Sequence, residues 1–394
     1  MKNLFLLLIA ACCSLQSVAQ TNLDSLFTVW QDQTQPDTAR LKAINEIAWY
    51  GYLFSQPDSA FYYAQVHYAF AESKGLKKQM ADALNTQGIS FAIKGEYPQA
   101  LNYFQRYLRI DEEIGDKNGI ANALSNIGNI YAHQGDYPQA LNYYQRSLKI
   151  EEEIGNKKGI AISLSTIGII YYNQDDYPQS LNYYQRSLKI EEEIGNKSGI
   201  ANSLTGIGNI YSNQGDYPQA LNFYQRSLKL QEEIRDKNGI ANVLGNIGGN
   251  YADQGDYPRA LDYYQRSLKI EEEMGNKNGI ANSLNNIGGI YAKQGKNNLA
   301  IDECQQGLTL SEEIGAVALQ KDACQCLYDA YKALGNGNKA LSYHEQMLVL
   351  EDSLNAEETA KKLQQMEFTK QVLQDSIAAA EKERLVLEAH QEEV

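Results

Sequence analysis

The residues best suited to chemistry in this chain are its clustered carboxylates. Glu151-Glu152-Glu153 and Glu191-Glu192-Glu193 place three acidic side chains in a row, and oxygen-rich clusters of this kind bind Ca²⁺. Neither run carries the alternating Asp, Asn and Gly of a calcium loop, and Lys149 stands within one helical turn of Glu153. The runs therefore read as a solvated helix face. His67, His133, His344 and His390 are isolated, with no Cys or carboxylate at ligand spacing. No Ser/His/Asp order, phosphate-binding glycine loop or H-E-x-x-H string occurs, and Gly-x-x-Gly pairs such as Gly245 and Gly248 read as framework. The expectation is a chain that is not an enzyme and holds neither metal nor cofactor.

Composition narrows the partners. The chain has 394 residues and a formal charge of −14. This disfavours nucleic acid, which needs a basic patch to neutralise phosphates, and a strongly anionic membrane surface. With 43% hydrophobic and 21% charged residues it is a folding sequence.

These residues are positioned by a forty-residue unit that recurs down the chain. Tyr-Pro pairs stand at Tyr97-Pro98, Tyr137-Pro138, Tyr177-Pro178, Tyr217-Pro218 and Tyr257-Pro258. A fixed period in this range means stacked units that bury their apolar faces against neighbours. Within residues 119–158, Ala121, Leu124, Ile127 and Tyr131 trace one helix, here termed helix A. Gln134-Gly135-Asp136 makes a turn, and Pro138 opens helix B, which carries Ala140, Leu141, Tyr144, Leu148 and Ile150. Gly155 is placed to cap its end. Gly88, Gly128, Gly168, Gly208, Gly248 and Gly288 recur inside helix A, where glycine costs about 1 kcal/mol relative to alanine. Close helix–helix approach would recover that loss, and the Tyr143-Tyr144 pairs supply the packing area.

Leu124-x-x-Ile127-Gly128-x-x-Tyr131 followed by Ala140-x-x-x-Tyr144 resembles the tetratricopeptide repeat. The closing Pro of the 34-residue form is absent, with Glu152 near its place, and the unit is longer. Forty-residue variants occur in spindle-orientation adaptors resembling Pins and LGN, whose S-N-L-G-N string is similar to Ser125-Asn126-Ile127-Gly128-Asn129. The resemblance implies an all-α solenoid, a superhelix of helix-turn-helix repeats. The frame gives a leading helix at 20–40, eight repeats at 41–353 with divergent ends, and a charged helix at 354–394. In that last segment Leu363, Met366, Leu373, Ile377, Ala380 and Leu387 form a heptad seam interrupted by Lys370 and Arg384. It reads either as a dimeric coiled coil, giving a homodimer through 354–394, or as a solvated or folded-back helix.

The resemblance also implies that helix A lines a concave groove with its positions two, five, six, nine, twelve and thirteen. Those places hold Asn122, Asn126, Asn129 and His133, then Asn173, then Asn202, Asn209 and Asn213. Further along stand Asn242, Asn246 and Asp253, then Asn282, Asn285, Asn286 and Lys293. An amide offers donors and an acceptor, so such a ladder could satisfy the backbone of an extended peptide. Helix B is nearly constant between units, even at Asn142, Gln145 and Arg146. Helix A varies, with position five running Asn85, Ser125, Ser165, Thr205, Gly245, Asn285. Differences have accumulated where a ligand would touch. The expected partner is a protein or peptide gripped in this groove.

The beginning of the chain reads as a secretory signal: Lys2, apolar Leu4 to Ala11, and a small-x-small site at Ser17-Val18-Ala19. The alternative is a lipoprotein box at Ile9-Ala10-Ala11-Cys12, with Cys12 as membrane anchor. Either places the chain outside the cytoplasm, in the periplasm or secreted. Pro57-Asp58-Ser59-Ala60-Phe61-Tyr62-Tyr63-Ala64 resembles the sensor regions of bacterial repeat-bearing histidine kinases and adenylate cyclases. That resemblance implies, as an alternative function, the sensor of a membrane signalling receptor that lacks its downstream span and output domain. Beyond the signal only Cys304, Cys324 and Cys326 remain. Cys304 and Cys324 fall on adjacent antiparallel helices within reach of one disulfide; otherwise the three are small buried hydrophobes.

Overall fold

The computed structural model describes residues 23–356 together with 359 and 360. The signal expected at 1–19, the alternative anchor Cys12 and the heptad seam from Leu363 onward lie outside the described residues. The described residues are all-α. They divide into two compact units, with the break between Asn156 and Lys157. The first holds α1 (23–31), α2 (Asp37–Glu46) with a π-turn at Ile47–Tyr52, α3 (Pro57–Ser73), α4 (Lys77–Ile93), α5 (Tyr97–Ile114), α6 (Lys117–His133) and α7 (Tyr137–Ile154). The second holds α8 (Lys157–Asn173), α9 (Tyr177–Ile194), α10 (Lys197–Asn213), α11 (Tyr217–Ile234), α12 (Lys237–Asp253), α13 (Tyr257–Met274), α14 (Lys277–Lys293), α15 (Asn297–Glu313), α16 (Val317–Ala333) and α17 (337–356). No helix among the described residues is long and apolar enough to cross a membrane.

Each even-numbered helix from α4 to α14 is a helix A that packs on the helix B following it; α4 also touches α6, α10 touches α8 and α12, and α14 touches α16. The hairpin turns are written in the sequence. Asp136, Asp176, Asp216 and Asp256 accept a hydrogen bond from the backbone N–H three residues on, at 3.1–3.2 Å, capping helix B. Helix B ends on a left-handed residue, Gly155 at φ 69° and Gly195 at φ 68°, but Arg235 at φ 59°. The N–H two residues past each helix bonds back to its last turn, as Asn196 N–H does to Glu191 O at 3.0 Å.

The helix-A glycines receive the aromatic rings of helix B. A Cβ built on Gly128 would stand 2.8 Å from the Tyr144 ring, and one on Gly208 2.6 Å from the Tyr224 ring. These rings are buried, at 2% exposure each. Beside them Ser147, Ser187, Ser227 and Ser267 donate to the helix-A carbonyls of Ala121, Ala161, Ala201 and Ala241 at 2.8–2.9 Å. On the other side of the hairpin, stacked pairs such as Tyr131–Tyr143 and Tyr251–Tyr263 lie under Arg146 and Arg266. A lysine at the start of each helix A pairs with a glutamate near the end of its helix B, as in Lys117–Glu153 at 3.0 Å and Lys237–Glu273 at 2.9 Å. Such half-exposed pairs are each worth about 0–1 kcal/mol.

Two sequence expectations are corrected. The Glu runs are not a uniform solvated face. Glu151 and Glu191 are buried, Glu152 and Glu192 are exposed, and Glu153 pairs with Lys117 across the hairpin rather than primarily with Lys149. The disulfide joins Cys304 to Cys326, with 6.3 Å between Cα atoms, and Cys324 is the buried free thiol. Two residues along a helix turn a side chain to nearly the opposite face. Cys324 stands at the leucine position that packs into its own hairpin, whereas Cys326 faces α15 of the preceding one. Burial pushes the Cys324 thiol up to about 11.

Asp111 is the first of the buried acids at the ends of B helices, and neither of its carboxyl oxygens has a hydrogen-bond partner. It sits against Gly119 in the first turn of α6, where no Cβ could fit. Burial raises its pKa to about 6 from 3.8, against the opposing pull of Lys78 and with the help of Asp116 and Asp82. Lys78 itself is engaged by Asp116. An acid whose folded pKa is raised contributes stability that is intact below pH 3.8 and lost as pH rises through about 6. Asp111→Asn removes that loss: thermal unfolding is expected a few degrees higher than wild type at pH 8, with the difference closing by pH 4.

Candidate functional site

The A helices of the second unit expose what the hairpin core does not use. Between α8, α10 and the start of α12 lies a groove of about 550 Å³ lined by Asn173, Asn202, Asn209 and Asn242, with Ile169 and Val243 as its apolar wall. Between α12 and α14 lies a second of about 400 Å³ lined by Asn242, Asn246, Asn282 and Asn286. Asn238 and Asn242 belong to both, so the two are adjacent. No Lys, Arg or His lines either groove. Their acidic residues are Asp236, which caps α12 by accepting from Gly239 N–H at 3.1 Å, and Glu271, which accepts from Asn276 at 2.8 Å. The surface is one of amides, hydroxyls and committed carboxylates.

The predicted asparagines differ in how free they are. Asn246 donates to Asn209 and Asn242, each at 3.3 Å, linking α10 and α12. Asn209 also accepts from the Tyr224 hydroxyl at 2.8 Å. Asn213 donates to the Tyr172 hydroxyl at 2.8 Å from an exposed position. Asp253 and Lys293 are exposed at the ends of α12 and α14 and line neither groove. In the first unit Asn122 is exposed, Asn126 donates to Asn85 at 2.8 Å, and Asn129 accepts from the Tyr144 hydroxyl at 2.7 Å. His133 is exposed and stacks on Tyr97.

Asn285 departs from the expectation. It is buried, donates to the Leu319 carbonyl at 2.9 Å and lies against Gly307. Ser125 and Thr205 at the same place also turn inward, sharing hydrogen bonds with Ser147 and Ser227 of their own B helices. Lining residues missing from the sequence reading are Asn238, Asn276 and Asn278, near the starts of α12 and α14, and Tyr184 and Tyr264 from helix B. The asparagines follow the Gly-Asn-Lys and Asp-Lys-Asn turn letters, which read as loop; the tyrosines read as core. Among the described residues no three His, Cys, Asp or Glu side chains gather as metal ligands.

A family model described as tetratricopeptide repeat matches in overlapping windows at 79–153, 119–193, 159–233, 199–273 and 239–313. The chain belongs to the tetratricopeptide repeat family. Each window of this repeat family spans two hairpins and steps by the same forty residues. No curated protein matches in sequence. Among solved structures, the apo quorum sensor NprR from B. thuringiensis is similar at a TM-score of 0.60 and 13% identity, covering 86% of this chain and 99% of that one. A Rap protein complexed with competence and sporulation factor is similar at 0.56 and 14%, covering 87% and 99%. A signal transduction ATPase with a tetratricopeptide repeat sensor from Pyrococcus horikoshii is similar at 0.59 and 14%, covering 88% and 54%. At these identities the likeness is one of fold.

The burial difference separates adjacent asparagines. Asn285→Ala removes its bond to the Leu319 carbonyl and empties the space beside Gly307, and is expected to cost about 1–2 kcal/mol in denaturant unfolding. Asn286→Ala, at the groove wall, is expected to change stability by less than about 0.5 kcal/mol.

Proposed function

We propose that this tetratricopeptide repeat chain is a non-catalytic scaffold that holds an extended protein or peptide segment along the amide-lined grooves of its second unit, outside the cytoplasm. The observation that carries the reading is the pair of adjoining grooves of about 550 and 400 Å³, sharing Asn238 and Asn242 and free of basic side chains. A side-chain amide can donate to a peptide carbonyl and accept from a peptide N–H, so successive amides suit a main chain whatever its side chains. Each such contact nets little, and affinity comes from their sum. The absence of basic lining residues disfavours an acidic ligand, which would meet Asp236 and Glu271 without counter-charge. The Rap protein bound to competence and sporulation factor gives a precedent on a similar fold. The Cys304–Cys326 disulfide supports an oxidising compartment, where such bonds persist.

The test selects from a displayed library of random linear dodecapeptides on the wild-type chain and measures the recovered peptide's Kd. Replacing Asn202, Asn242 and Asn282 together by Ala is expected to weaken that peptide at least tenfold, from about 0.5–1 kcal/mol per amide, with thermal unfolding within about two degrees of wild type. A recovered peptide that binds the triple variant unchanged places the ligand elsewhere.

A further inference from the structure

Four B helices carry a tyrosine at the same place, Tyr144, Tyr184, Tyr224 and Tyr264, and their hydroxyls have two different fates. The Tyr144 hydroxyl donates to Asn129 at 2.7 Å, and that of Tyr224 to Asn209 at 2.8 Å. Asn129 and Asn209 occupy position nine of helix A. In the hairpins of Tyr184 and Tyr264 position nine is Ile169 and Gly249. Ile169 has no acceptor, and a Cβ on Gly249 would stand 3.5 Å from the Tyr264 hydroxyl, with no side chain there to meet it. Tyr184 and Tyr264 are 8% and 6% exposed. No described residue hydrogen-bonds either hydroxyl, and each ring lines one of the two grooves.

Glycines leave room around both rings. A Cβ on Gly206 would collide with the Tyr184 ring, at a place where other A helices carry Asn246 and Asn286. Gly245 has nothing within 4 Å of where its Cβ would be, opening the floor of the Tyr264 groove. Each ring is enclosed, yet neither hydroxyl is among the described polar atoms sealed from solvent without a partner, so each oxygen opens onto its groove, where an atom of a ligand can complete it.

We propose that the Tyr184 and Tyr264 hydroxyls are specificity-determining donors, each giving its proton to an uncharged acceptor, a carbonyl or hydroxyl oxygen, of the segment held in its groove. The inference rests on the groove reading above and goes further by assigning two points of polar readout. The Tyr184 groove has the apolar wall of Ile169 and Val243 and takes an acceptor carried on an apolar body. The Tyr264 groove, ringed by Asn246, Asn282 and Asn286, takes a fully polar group. A charged acceptor is disfavoured because no cation faces either hydroxyl from the surrounding helices.

The experiment compares the four tyrosines using the dodecapeptide recovered from the displayed library. Tyr184→Phe and Tyr264→Phe are each expected to weaken it about fivefold and to leave the melting temperature unchanged. Tyr144→Phe and Tyr224→Phe, which lose an internal bond, are expected to lower the melting temperature, and Tyr144→Phe, whose partner Asn129 lines neither groove, to leave Kd within twofold. Ile169→Asn restores the internal acceptor, and should raise the melting temperature while weakening the peptide. If Tyr184→Phe and Tyr264→Phe bind like wild type while the Asn202/Asn242/Asn282 variant does not, the donor assignment is overturned and the groove reading stands. If they lower the melting temperature as Tyr144→Phe does, the hydroxyls are structural and the assignment is overturned. If no peptide is recovered, or none of these variants weakens the one recovered, both readings fall.

Discussion

The contact on which the rest depends is an aromatic ring of helix B lying on a glycine of helix A. Gly88 receives Phe104, Gly128 Tyr144, Gly168 Tyr184, Gly208 Tyr224 and Gly248 Tyr264. A side chain at any of these glycines would push the helices apart by roughly the width of a methyl group, and the packed interior has little space to absorb it. The ring supplies buried area that recovers the helix propensity lost at glycine. Because each hairpin closes this way, its A helix is held with one face on its own ring and another on its neighbours. The remaining face carries the amides. Where the ring is missing, at Cys304 over Gly288, the sulfur bonds to Cys326 of α16. A covalent link between neighbouring hairpins then replaces the lost aromatic packing.

The same geometry gives position nine of helix A a double use. As Asn129 or Asn209 it completes a buried phenol; as Ile169 or Gly249 it does not, and the phenol is turned over to the groove. A change at position nine can therefore alter the groove one repeat at a time while the ring stays on its glycine. That fits a sequence whose B helices are almost constant while its A helices differ.

Much of the fold was legible because it is local and repeated. The forty-residue step, the turn glycines, the Pro near the start of α5, α7, α9, α11 and α13, and the mid-helix glycine all report on contacts within one hairpin. What escaped depends on what the next hairpin presents. Asn285 looked like its fellow groove asparagines, yet it is buried and bonded to Leu319. Glu151 and Glu191 share their letters with exposed Glu152 and Glu192, and only the register decides which carboxylate is enclosed. Cys304 pairs with Cys326 because position six, not position four, meets the preceding B helix. The free hydroxyls of Tyr184 and Tyr264 were foreshadowed by Ile169 and Gly249 breaking the Asn pattern, a signal that gains meaning only once Tyr144 is seen on Asn129.

The central claim is that helix-A glycine is required by the ring it carries, and two glycines in comparable helices test it. Thermal or denaturant unfolding of Gly208→Ala and Gly245→Ala is the direct measurement. Gly208 faces the Tyr224 ring at 2.6 Å, whereas Gly245 has nothing within 4 Å. Gly208→Ala is expected to destabilise by about 1–3 kcal/mol, and Gly245→Ala to stabilise by about 0.5–1 kcal/mol through helix propensity alone. Equal stabilisation by both substitutions would contradict the account.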